Sequence, residues 1–189
     1  MQIAGEFVKA GAAAPDFELV KTDLSTLSLK DLRGKQVILN IFPSLDTGVC
    51  AASVRKFNKL AAELPGTVVL AVSKDLPFAH ARFCTVEGIE NVVPVSDFRK
   101  TSFDESYGVL MTDGPLCGLL ARAVVILNPE GKIKVVELND NNIGRDASEL
   151  LRKVEAAQFV ASHDGEVCPA KWKKGESTLK PSIDLVGKI

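Results

Sequence analysis

The reading turns on three adjoining stretches, QVILNIF at 36–42, PSLDTGVC at 43–50 and AASVRKFNKLAAEL at 51–64. The first is a short, almost unbroken apolar run, the pattern of a strand buried on both faces. In the last, Val54, Phe57, Ala61 and Leu64 recur at helical spacing until Pro65-Gly66 stops them. A loop joins the two, and it delivers Cys50 to the helix's first turn.

Working outward, TVVLAVS at 67–73 reads as the next strand, and Pro77 to Glu87 as a helix that opens on proline and carries Cys84. NVVPVSD reads as a further strand weakened by Pro94, and 102–108 as a short helix before a loop at Gly114-Pro115. LLARAVVILN and KIKVVEL flank the turn Asn128-Pro129-Glu130-Gly131, a hairpin signal. Asp146 and Glu149 resemble a capping box ahead of a final helix striped by Leu150, Val154, Ala157 and Ala161. Beyond it the periodicity ends, and Gly165, Pro169, Gly175, Pro181 and Gly187 mark an extended arm that must pack on something to be ordered. Strands alternating with helices, plus one hairpin, imply an α/β fold with a mixed sheet flanked by helices. The expected division is a domain over 1–161 and an arm over 162–189.

A chain of 189 residues, 46% hydrophobic and 25% charged, has the balance of one folded domain rather than of a disordered chain. Its formal net charge of -1 offers no general attraction to a polyanion, which argues against nucleic acid and anionic membranes as partners. Lys171, Lys173, Lys174, Lys180 and Lys188, against Glu176 and Asp184, read as a solvated basic tail. The opening MQIAGEFVKAGAAAPDF lacks the form of a secretory signal, and no run approaches the ~18 apolar residues of a membrane span. The sequence predicts a soluble cytoplasmic protein.

Cys50, Cys84, Cys117 and Cys168 form no Cys-x-x-Cys pair, so zinc ribbons and thioredoxin-type dithiols lose support, and nothing calls for a metal or cofactor. Isolated thiols in a reducing compartment are either inert packing or reactive sites. A free cysteine is only a few per cent thiolate at neutral pH, and the thiolate is the nucleophile. At a helix N-terminus Cys50 would meet unpaired N–H donors and the positive end of the helix dipole. Arg122 interrupts the apolar run LLARAVVILN, where a guanidinium is costly unless paired. From spacing alone it fits equally an exposed strand face bound to a surface carboxylate, and Cys50 fits a structural bystander.

PSLDTGVC, Pro43 to Cys50, matches the Pro-x-x-x-Thr-x-x-Cys signature of peroxiredoxins, and NIFPSLDTGVCAASVRKFN resembles the bacterial thiol peroxidase subfamily. KDLPFAHARFC, VSDFRKTSF and DGPLCGLLARAVVILN extend the resemblance over roughly residues 15 to 135. It implies a thioredoxin-like fold and a thiol peroxidase with Cys50 as peroxidatic cysteine. Arg122 would hold thiolate and peroxide, Thr47 would hydrogen-bond the peroxide, and Pro43 would shield the sulfur. The sulfenic acid formed on Cys50 must then meet a second thiol before further oxidation traps it.

Two cysteines are candidates for that second thiol. Cys84, in ARFC, matches the resolving cysteine of the thiol peroxidase subfamily, and it is preferred because it comes with the same body. From about Ile143 onward the chain resembles instead the C-terminal arm of the bacterial alkyl hydroperoxide reductase catalytic subunit, where the cysteine of Val-Cys-Pro, here Cys168, resolves a partner subunit. The body implies thioredoxin as reductant and a homodimer; the arm implies a flavoprotein reductase and dimers assembled into rings. Either disulfide requires local unfolding, because cysteines seated in separate folded elements seldom meet the Cα spacing a disulfide needs.

Of the other candidates, Cys117 is expected to be a buried or half-buried structural thiol, His80 and His163 to be surface histidines, with tuning of the Cys84 thiol one turn on as the alternative for His80, and Trp172 to anchor the arm on a partner subunit. Two competing readings are a redox sensor or holdase on the same fold and a Cys-His hydrolase. The hydrolase needs a histidine near Cys50, and the chain has only His80 and His163.

Overall fold

The computed structural model describes residues 1–99, 102–144 and 146–183; Asp184, Gly187 and Lys188 of the arm lie outside them. The chain divides into two compact units, Met1–Arg145 and Asp146–Ile189. No helix among the described residues is long and apolar enough to cross a membrane.

In the first unit, the QVILNIF run forms β3 (Gln36–Ile41), buried at every position. It can be so because it lies mid-sheet, parallel to β4 (Thr67–Ser73) on one side and antiparallel to β6 (Arg122–Leu127) on the other. Among the described residues the sheet has seven strands in the order β2-β1-β5-β4-β3-β6-β7. β7 (Ile133–Asn139) closes the expected hairpin, with Asn128 Oδ1 accepting from Lys132 N at 2.7 Å in the turn. β5 (Val92–Ser96) tolerates Pro94 because β1 (Glu18–Lys21) pairs only Val95 and Ser96, leaving proline where the strand has no neighbour on that side. The hairpin of β1 with β2 (Thr26–Ser28) was not anticipated by the sequence reading.

Alternation along the strands sorts the side chains onto two faces. Val37, Leu39, Ile41, Leu70, Val72, Ala123 and Val125 join one apolar cluster with Phe17, Tyr107 and Phe103 of α3 (Phe103–Ser106). Phe103 stacks on Tyr107 with centroids 4.5 Å apart. Each such side chain, fully buried, contributes about 1.5–3 kcal/mol. The alternate residues Ile38, Asn40, Val69 and Ala71 point to the other side. Two helices contact β5, α1 (Gly48–Ala61), which also contacts β4, and α2 (Pro77–Glu87).

The second unit holds α4 (Ala147–Ser162) and the arm. Asp146 caps α4 by accepting from Ser148 N at 2.9 Å, while Glu149 takes both Nε and Nη2 of Arg152 at 2.8 Å, an i,i+3 ion pair. The arm folds back through a bridge between Val167 and Leu179. Trp172 is buried within its own chain, tilted against Phe159 of α4 at 5.1 Å with its Nε1 donating to Glu176 O. This corrects the expectation that Trp172 needs a partner subunit for its packing.

Candidate active site

The loop leaving β3 is shaped residue by residue. Phe42 N still donates to Val72 O at 3.1 Å, extending the ladder one position, and buried Pro43, which has no N–H, ends it. Ser44 O then accepts from Thr47 N at 3.3 Å and from Thr47 Oγ1 at 3.1 Å, which turns the chain. Thr47 is the N-cap of α1 by its backbone, and Ala51 N donates to its carbonyl at 3.0 Å. Cys50, third residue of the helix, is fully buried, and the first turn holds no acidic side chain to oppose an anion there.

Arg122 opens β6 and is 5% exposed. Its Nη1 donates to Cys50 Sγ at 3.3 Å, and its Nη2 to Asn141 O at 3.5 Å. The exposed-face alternative for Arg122 is therefore not the one the fold adopts. Its Nε has no hydrogen-bond partner among the described residues, so the guanidinium keeps donor capacity beside the sulfur.

Cys84 sits in the last turn of α2, half-buried, and burial pushes its thiol above the ordinary range. Its carbonyl accepts from Ile89 N at 3.0 Å and from Gly88 N, and Gly88 adopts the left-handed conformation (φ 62°) that ends the helix. A cleft of about 350 Å³ runs between the start of α1 and α2, floored by Thr47, Gly48 and Ala51 on one side and Phe83 and Val86 on the other. Two ion pairs span it, Arg82 to Asp46 at 3.5 Å and Arg55 to Glu87 at 3.0 Å. All four cysteines are free thiols. Cys168, in the second unit, is half-buried, its thiol raised by burial with Arg152 working in the opposite direction. Among the described residues no group of three or more His, Cys, Asp or Glu is placed to hold a metal ion.

Three lesser expectations fare differently. Cys117 is exposed in its loop rather than buried, because the turn closed by its N–H on Gly114 O directs it outward. His163 is exposed, stacked on Phe159 at 3.9 Å. His80 is not a surface residue: it is fully buried, with Nε2 3.0 Å from Ser73 Oγ. Sequence reasoning also missed Asp75, whose carboxylate meets Ser44 Oγ at 2.8 Å and Leu45 N at 2.7 Å. The available signal was a Ser-x-Asp at the buried end of a strand.

Residues 9–154 match the family model described as Redoxin, and residues 156–188 the C-terminal domain of 1-Cys peroxiredoxin. A thiol peroxidase of Corynebacterium glutamicum is 53% identical over 137 residues, 72% of this chain and 82% of that protein. The crystal structure of a peroxiredoxin-like protein from Aquifex aeolicus superposes with a TM-score of 0.77 at 39% identity, covering 81% of this chain and 90% of that one. That of Enterococcus faecalis AhpC gives a TM-score of 0.71 at 30% identity, covering 89% of this chain and all (100%) of that one.

Proposed function

The chain belongs to the Redoxin family and is a peroxiredoxin, an enzyme that reduces peroxides with thiols and is recycled by thioredoxin-like partners; from that premise we propose that Cys50 is the sulfur that attacks the peroxide. The observation that supports this most is the buried contact of Arg122 Nη1 with Cys50 Sγ at 3.3 Å, made at a helix N-terminus. The guanidinium and the helix end both favour negative charge on that sulfur, and burial weakens the screening between them.

In the proposed step, the Cys50 thiolate attacks one peroxide oxygen. An S–O bond forms, the O–O bond breaks, and the leaving oxygen takes a proton to depart as water or an alcohol. Sulfur is oxidised by two electrons to the sulfenic acid and the peroxide is reduced by the same two. Arg122 and the Thr47 hydroxyl act as donors to the oxygens on which charge develops, and Pro43 keeps water from the sulfur. Cys84 then attacks the sulfenic sulfur, an S–S bond forms, and the hydroxyl leaves as water. A protein dithiol returns two electrons, thioredoxin on the body's likeness, in the cytoplasm and with the protein as a homodimer.

Cys84 stands in a frayable last turn, which supports it as resolver. A second reading, in which Cys168 resolves a partner chain within a larger ring and a flavoprotein reductase recycles it, is favoured by the likeness to Enterococcus faecalis AhpC over 89% of this chain. Single-turnover mixing with one equivalent of hydrogen peroxide tests the first claim: the parent consumes it and Cys50→Ser does not. On non-reducing gels the oxidised parent should run as monomer and Cys84→Ser as a disulfide-linked dimer through Cys168. A parent dimer band would transfer the role to Cys168, and NADPH consumption with each reductase system would identify the electron donor.

A further inference from the structure

A chain of polar contacts, partly buried at Asp75 and fully buried at His80, joins the loop ahead of Cys50 to the helix of Cys84, and no step of the proposed chemistry uses it. At one end, Asp75 Oδ1 accepts from Ser44 Oγ at 2.8 Å, and Oδ2 accepts from Leu45 N at 2.7 Å and from Ser73 Oγ at 2.8 Å. At the other, Ser73 Oγ lies 3.0 Å from His80 Nε2, and His80 stands one turn before Cys84 on α2. Ser44 in turn supplies the carbonyl that accepts from both N–H and Oγ1 of Thr47.

The hydrogens along this chain are determined by count. Ser73 Oγ has one proton and two acceptor sites. Its proton goes to the Asp75 carboxylate, and Asp75 N donates to it at 3.2 Å. The remaining site must be filled by an N–H from His80 Nε2, which makes Nδ1 the bare nitrogen, and Nδ1 has no partner among the described residues. Burial holds this imidazole neutral, its pKa pushed down to about 4 despite the nearby Asp75 charge.

We propose that Asp75 is a positioning residue that ties the Pro43–Thr47 loop to the Cys84 helix, holding the loop in its peroxide-reactive form while α2 is folded and releasing it when α2 unwinds. The inference rests on the reading of Cys50 as peroxidatic and Cys84 as resolving. The physical reason is that Leu45 is 4% exposed, so its N–H has no access to water if the carboxylate is lost. A carboxylate with three short, charge-assisted bonds is the strongest attachment in this loop. Because one of the three comes from Ser73, whose other partner is His80, unwinding α2 removes a support from the group that holds the loop. The two local unfolding events that a Cys50–Cys84 disulfide demands are thereby made one.

The test separates the peroxide step from the disulfide step by quenching a single turnover at intervals and weighing the thiol, sulfenic and disulfide forms. For Asp75→Ala the expected result is a peroxide step about tenfold slower, with the later disulfide step about threefold faster, since less has to be unfolded. Asp75→Asn, which keeps one acceptor for Leu45 N–H, should recover most of the peroxide rate. Ser44→Ala, a milder change that spares the backbone, should move both steps in the same opposed directions by about twofold. A destabilised control on the far sheet face, Phe103→Leu, should keep the parent's peroxide rate, so loss of stability alone cannot produce the pattern. If Asp75→Ala and Ser44→Ala both match the parent in both steps, or slow both together, the inference is overturned. If the sulfenic acid forms elsewhere than on residue 50, the reading beneath it is overturned too, and peptide mapping of the same quenched samples distinguishes the two failures.

Discussion

The first turn of α1 and the last turn of α2 each present one cysteine, and they treat it in opposite ways. Cys50 is fully buried, yet it faces a guanidinium at 3.3 Å and the donor end of a helix. Cys84 is less buried, but burial is the one influence acting on its thiol, and that influence favours the neutral form. Burial alone therefore does not decide how a cysteine behaves; what is buried with it does. The first turn offers hydrogen-bond donors and the last offers only burial, which is the contrast behind the proposal that Cys50 attacks the peroxide while Cys84 waits.

The comparison breaks most visibly at the guanidinium. Arg122→Ala is expected to slow the peroxide step by about a hundredfold or more, while Arg122→Lys, which keeps the charge but not the planar fork, should fall between. Stopped-flow mixing checks both, and an Ala variant as fast as the parent would remove the distinction between the two turns.

A second expected effect concerns His80, which links the two turns. Its pKa is about 4 when folded against an ordinary 6.5, so the unfolded chain takes up the proton first as pH falls. The stability this neutral histidine allows is intact above pH 6.5 and is lost progressively down to pH 4, about 3 kcal/mol in all. Urea unfolding at pH 7 and at pH 4.5 should show the parent losing about 2–3 kcal/mol more than His80→Gln.

Smaller again is the pH dependence of resolution. With the Cys84 thiol raised above its ordinary value of 9.0 in the folded helix, opening of α2 becomes easier as pH rises through that value. The disulfide step should accelerate by about fifteenfold between pH 7.5 and 9, in quenched single turnovers, as the unwound thiol ionises. The least effect is expected from Arg55→Ala. Its pair with Glu87 is partly exposed, so its loss should speed the disulfide step by about twofold at low salt and less at high salt.

What the sequence revealed follows from how local each signal is. β4 and α2 fall where TVVLAVS and Pro77–Glu87 placed them, since strand burial and helix punctuation are written in neighbouring residues. The β1–β2 hairpin was missed because its strands are short and its connection, with Leu24 at φ 66°, carries no Asn-Gly or Asp-Gly. Arg122 was ambiguous for a different reason: what compensates its burial is Cys50, seventy-two residues away in sequence (|i−j|=72). His80 was misread as exposed because apolar residues lie all round α2, so no face announces itself as inner, and its partner Ser73 comes from another element. Local pattern delivered the elements, and the motif's resemblance delivered Cys50; the polar contacts between elements became visible only in three dimensions.

The account stands or falls on which sulfur peroxide oxidises. In a Cys84→Ser, Cys168→Ser variant the sulfenic acid has no resolving thiol, so one equivalent of hydrogen peroxide in the presence of a sulfenate-trapping dione, followed by peptide mass mapping, reads the site directly. The account predicts the adduct on the peptide holding Cys50 and none on the peptide of exposed Cys117. An adduct on Cys117, or an unmodified Cys50 with the peroxide consumed, would contradict it.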